Sequence, residues 1–123
     1  MSNCLAYNTL IYKKESINQS PIICPIEEVK LGDYVMNVNK EFQKVCKIEY
    51  FEKINCIDLI CDDKLSQLLS IIFSKDHFSE INFKKLEKLN LLGKQVISDV
   101  VGFYCENNQH IEVVPYFLNN LFA

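Results

Sequence analysis

Short runs of β-branched and aromatic residues, separated by polar turns, constrain this chain more than any other feature. Such runs suit a pleated, half-buried surface and recur here from end to end. Leu10 to Tyr12 is one, followed by a polar stretch, Lys13 to Ser20, that reads as a loop. Tyr34 to Asn39 alternates as a half-buried strand does. Val45 to Phe51, Cys56 to Cys61 and Leu68 to Ser74 predict further strands, with Asp62-Asp63-Lys64 as a turn. Val100 to Cys105 and Ile111 to Leu118 predict a terminal pair of strands, turning through Glu106-Asn107-Asn108-Gln109. Only Pro25 to Leu31 and Phe83 to Leu92 carry helical spacing, and both are short. The expectation is an all-β domain with short helical turns.

Those two helical segments resemble each other. Ile26, Glu27, Val29, Gly32 and Val35 correspond in order to Leu86, Glu87, Leu89, Gly93 and Val96, with one insertion. Each unit is an amphipathic turn, a Gly that can end it at positive φ, and an alternating strand. The repetition suggests internal pseudo-two-fold symmetry.

With 123 residues, the chain has the length of one domain. The net charge is −3 and every basic residue is Lys, which argues against nucleic acid as a partner. No apolar stretch approaches the ~20 residues of a membrane span, and the start lacks a signal-peptide pattern. A cytoplasmic monomer is the expectation. The six cysteines show no CxxC spacing and no His pair, so neither a metal nor another cofactor is expected. Most read as small buried apolar residues. Cys4, ahead of the core, is the exception.

Three segments carry a family resemblance. They are Cys4-Leu5-Ala6-Tyr7-Asn8-Thr9-Leu10-Ile11, the run from Pro25 to Val35 (PIEEVKLGDYV), and Ser74-Lys75-Asp76-His77-Phe78. In order and spacing they resemble the motifs of a minimal intein, a Hint (hedgehog–intein) autoprocessing domain without an endonuclease. The resemblance implies a horseshoe-shaped Hint fold over residues 4–120, flanked by extein residues at 1–3 and 121–123. It implies autocatalysis, with these flanking polypeptides as the partners. Cys4 would attack the carbonyl of Asn3 to give a thioester. His77 would protonate the leaving amide nitrogen, and Ser74 would hydrogen-bond near the same carbonyl.

The residue types suit these roles. A thiol is the strongest common nucleophile near neutral pH, an amine leaves only when protonated, and a His is poised to supply that proton. At the other end, Asn120 would be the cyclising Asn that cuts the C-terminal bond. The resemblance departs there from the family pattern. Asn119 stands where a His is usual, and Leu121 cannot accept an acyl group. Transesterification therefore lacks a nucleophile, and self-cleavage is better supplied than splicing. Cys105, His110 and Asp99 compete as the late-step acid or base. Two other readings stay open: a cysteine hydrolase acting in trans through Cys4 and His77, and a non-catalytic β module presenting Tyr7, Tyr50 and Phe51.

Overall fold

The computed structural model describes residues 4–63, 67–74, 91–106, 111 and 113. Among them the chain forms strands β1 (Leu5–Ala6), β2 (Leu10–Lys14), β3 (Ile22–Pro25), β4 (Tyr34–Met36), β5 (Phe42–Asp63), β6 (Gln67–Ser74) and β7 (Leu91–Cys105). All pairings are antiparallel, in the order β3-β2-β4-β5-β6-β1-β7, and β7 also returns to pair with β5. The fold is all-β, as the patterning predicts. No helix among the described residues is long and apolar enough to cross a membrane.

The long strand β5 organises everything else. Its first residues pair with β4, and its second half lies between β6 and β7. β1 closes the circuit: Leu5 pairs with Phe73 of β6 on one side and with Val101 of β7 on the other. The pairings β5–β6–β1–β7–β5 therefore form a closed ring, which leaves little free edge on these strands.

Successive side chains of a strand point to opposite faces, and the ring has a distinct apolar cluster on each. The larger core includes Leu5, Ile11, Leu59, Phe73 and Val101. The smaller contains Cys4, Cys56 and Val100, with Phe51, Ile54, Ile72 and Val96 packed against it. Each fully buried apolar side chain of this size contributes about 1.5–3 kcal/mol.

Several sequence expectations are corrected. Val45 to Phe51 and Cys56 to Cys61 belong to one strand, because an irregularity between Phe51 and Ile54 absorbs the polar residues between them. Lys53 takes φ +53° there, and its N–H donates to Asp99 Oδ1 at 3.0 Å. Lys13 and Lys14 are strand rather than loop, because the buried carboxylate of Asp33 receives the Lys13 ammonium. Asp62 and Asp63 continue β5 instead of turning. Of the helical segment Phe83 to Leu92, residues 83–90 lie outside the described set, while Leu91 and Leu92 are already strand. The first helical segment is a single 3-10 turn, Ile26–Glu28.

The internal repeat breaks at its glycines. Gly32 takes φ +88° in the turn before β4, whereas Gly93 lies within β7 opposite Leu59. Among the described residues, the two halves of the predicted terminal hairpin pair elsewhere. β7 pairs with β5, while Ile111 bridges to Asn37 and Val113 to Ile11.

Candidate functional site

The site begins where β1 enters the ring. Cys4 directly precedes β1 and is 1% exposed. Its carbonyl accepts the backbone N–H of Ser74 at 3.0 Å. The first and third motifs thus meet through the main chain: β1 docks on the end of β6, and the hydrogen bond fixes the carbonyl side of Cys4. Immediately after β1 the chain turns at Asn8, whose φ of 71° is one that Asn tolerates. The Asn8 N–H donates to the Glu27 carboxylate at 2.6 Å, and the Thr9 hydroxyl to the Ala6 carbonyl at 2.7 Å. The nucleophile candidate therefore enters a segment held at both ends.

Alternation decides what shares a face with the thiol. On β6, Phe73 points into the large core while Ile72 packs on the small cluster, so Ser74 belongs to the small-cluster face. Ser74 is 1% exposed and lies directly opposite Cys56, a member of that cluster. Directly opposite residues present their side chains to the same face. The Cys56 thiol donates to the Ile54 carbonyl at 3.3 Å, and burial pushes its pKa up. It remains a protonated packing group. Cys4 and Ser74 thus share a small, buried compartment.

Gly102 is the residue that sequence reasoning missed. A Cβ at this position would lie 2.9 Å from Cys4 Sγ, closer than packed atoms approach. Gly102 pairs with Glu49 inside β7, and its lack of a side chain makes room for the thiol. A lone Gly within the apolar run Val100-Val101-Gly102-Phe103 was the available signal, since Gly inside a strand marks close approach. Tyr104, two residues on, has its hydroxyl pushed up by its hydrogen bond to Glu49 and the Glu49 charge, then by burial and by Cys4.

Cys105 occupies the other face. With Phe103 it packs against the large core, away from the position of Gly102 that meets Cys4 Sγ. Burial, then Cys46 and Glu106, push its thiol to about 11, so it is neutral at physiological pH. Asp99 is exposed, and its carboxylate holds the Lys53 N–H at the strand irregularity, while its carbonyl accepts the Tyr7 N–H at 3.2 Å. Neither group is brought to the Cys4 thiol. His77, His110, Asn119 and Asn120 lie outside the described residues, as do the flanks 1–3 and 121–123.

The second motif, Pro25 to Val35, builds structure rather than lining the small cluster. Ile26, Val29 and Val35 enter the large core. Asp33 Oδ2 accepts from Lys30 N at 2.9 Å and from Lys13 Nζ at 3.1 Å, a buried ion pair. The Tyr7 and Tyr50 rings meet edge-on with centroids 6.4 Å apart, beside a cavity of about 730 Å³ bordered by Glu28, Val29, Leu31 and Ile48. Phe51 does not join them, packing instead on the small cluster. Among the described residues no three His, Cys, Asp or Glu side chains gather as a metal site would require, and Cys4, Cys24, Cys46, Cys56 and Cys105 form no disulfide.

No family model, curated protein or solved structure matches this chain.

Proposed function

We propose that this chain is a single-turnover, self-processing domain of the intein type that cleaves the Asn3–Cys4 peptide bond. The observation that carries the reading is the burial of Cys4 at the ring entrance, with its carbonyl held by Ser74. A thiol closed off in this way is poorly placed to meet a free substrate. The carbonyl of the residue before it is covalently adjacent, so attack there needs no open cleft and benefits from enforced proximity. This favours reaction in cis over a hydrolase acting in trans.

In the proposed step, Cys4 Sγ loses its proton and attacks the Asn3 carbonyl carbon. The tetrahedral intermediate collapses by breaking the bond to Cys4 N, and His77 supplies the proton that lets the amine leave. The products are a thioester between Asn3 and Cys4 and a free Cys4 amine. Donors near the intermediate's oxyanion favour its formation, and the face shared by Ser74 and Cys4 supports Ser74 in that role. Gly102 keeps space for the sulfur. At the far end, Asn120 cyclises and cuts the following bond. Cys105 faces the large core and Asp99 is engaged at the strand irregularity, which supports His110 for the late acid–base role. Asn119 and Leu121 supply neither acid–base catalysis nor an acyl acceptor, so the outcome is cleavage rather than ligation of the flanks.

An added small thiol tests the reading by intercepting the thioester. The expected result is loss of Met1–Asn3 as a separate fragment in the wild type and none in Cys4→Ala. No fragment from the folded wild type, or equal fragmentation of both proteins, would overturn the proposal.

A further inference from the structure

We propose that Cys46 and Cys105 form an oxidisable thiol pair, a modification site at which a small-molecule disulfide such as oxidised glutathione converts them to an intramolecular disulfide. The pair stands apart from Cys4 and does not rest on the self-processing reading.

Its geometry comes from the second irregularity of β5. Cys105 pairs with Val45 and Tyr104 with Lys47, so Cys46 is the extra residue on β5. In a bulge, two residues of one strand face a single residue of the other, and here Val45 and Cys46 face Cys105. A shared acceptor places the thiol independently. The Lys44 carbonyl oxygen receives the Glu106 N–H at 3.3 Å and the Cys46 thiol at 3.7 Å. Cys46 Sγ therefore sits beside the main chain that joins Cys105 to Glu106. Cys46 directly follows Val45, the residue paired with Cys105, and its charge is one of those felt by the Cys105 thiol, so the two thiols are neighbours across the bulge.

The two thiols differ in access. Cys46 is exposed and Cys105 is half-buried on the large core. Access favours Cys46 as the first thiol to react. Its thiolate attacks one sulfur of glutathione disulfide, that S–S bond breaks, and one glutathione leaves and takes up a proton. Cys105 then gives up its proton and attacks Cys46 Sγ, releasing the second glutathione. The protein loses two electrons and two protons, and the oxidant gains both. The raised pKa of Cys105 makes it the poorer first nucleophile and leaves it the second, resolving position, where the attack is intramolecular. The product fastens the end of β7 to β5.

Incubation of the full chain with glutathione disulfide, followed by intact mass and non-reducing peptide mapping, tests the pair. The expected product is lighter by two hydrogens, carries a Cys46–Cys105 linked peptide and reverts with reductant. Cys46→Ser should lose this product, and Cys24→Ser should keep it. Cys4→Ala should also keep it, which separates this inference from the proposed cleavage. Arrest at a glutathione adduct on Cys46, no oxidation at all, or a linkage joining other cysteines would overturn it.

Discussion

The sheet around β2, β3 and β4 and the ring of β5, β6, β1 and β7 handle buried polar groups in opposite ways. In the first region, Lys13 and Asp33 are buried as a charged pair, 6% and 7% exposed, and each satisfies the other. In the second, Cys4, Ser74 and Cys56 are buried as thiols and a hydroxyl, all at 1% exposure or less. A buried ion pair needs its partner and is locked in place, since removing one member strands the other charge. A buried thiol is nearly apolar and packs in a core as a small hydrophobe. The three family-like segments divide along this line. The middle one supplies Asp33 to the scaffold, while the outer two bring Cys4 and Ser74 together.

The division predicts separable effects of mutation. Asp33→Ala should cost the most stability, about 3 kcal/mol at the low end of the range for breaking a buried pair. The Glu28 carbonyl, 3.4 Å from Lys13 Nζ, still accepts from the ammonium and moderates the loss. Urea unfolding measures it. Cleavage at Cys4 should fall only with the folded fraction, and a larger fall would join the two regions functionally.

Gly102→Ala should act inside the ring. The added methyl meets Cys4 Sγ at 2.9 Å, so the strand or the thiol must move. Overpacking of this kind costs about 1–3 kcal/mol, and thiol-induced cleavage should slow by more than the unfolded fraction explains. An unchanged rate per folded molecule would show that the thiol's position is not critical.

Asp99→Ala has a smaller expected effect, about 1 kcal/mol for the lost hydrogen bond to the Lys53 N–H. Its cleavage rate should match the wild type. A strong loss would restore Asp99 as an acid–base candidate and break the assignment to His110.

A further effect is confined to alkaline pH. Burial, helped by Cys46 and Glu106, raises the Cys105 thiol from 9.0 to about 11 in the folded chain. Between these values the unfolded chain releases the proton while the folded one keeps it, so the native state loses relative stability. The contribution is full below pH 9 and is lost as the pH rises to about 11. Denaturation midpoints across this window should fall less in Cys105→Ala than in the wild type.

Much of the fold was legible because strand patterning is local. Tyr34 to Met36 and Leu68 to Ser74 emerge as strands, and the helical turn appears at Ile26–Glu28. What could not be read depends on partners distant in sequence. Glu52 and Lys53 fall between two predicted strands until the Asp99 carboxylate, from another strand, holds the Lys53 N–H. Lys13 looks like a loop residue until Asp33 neutralises it. At the site, the motifs singled out Cys4 and Ser74, which the structure brings together. The assignment of Cys105 depended on one step of strand alternation. Gly102 and Tyr104 lie on the side that meets Cys4, and Cys105 faces away. Such parity emerges only once the register is fixed.

The central claim is that Cys4 breaks the bond before it, and the most direct measurement detects the amine that this creates. Cleavage after hydroxylamine or a small thiol leaves Cys4 as an N-terminal residue with adjacent amine and thiol. A cyanobenzothiazole condenses selectively with that pair. The account predicts a labelled chain beginning at Cys4, with label appearing as the Met1–Asn3 fragment is released and none in Cys4→Ala. Folded wild-type protein that takes up no label while its chain stays intact would contradict it.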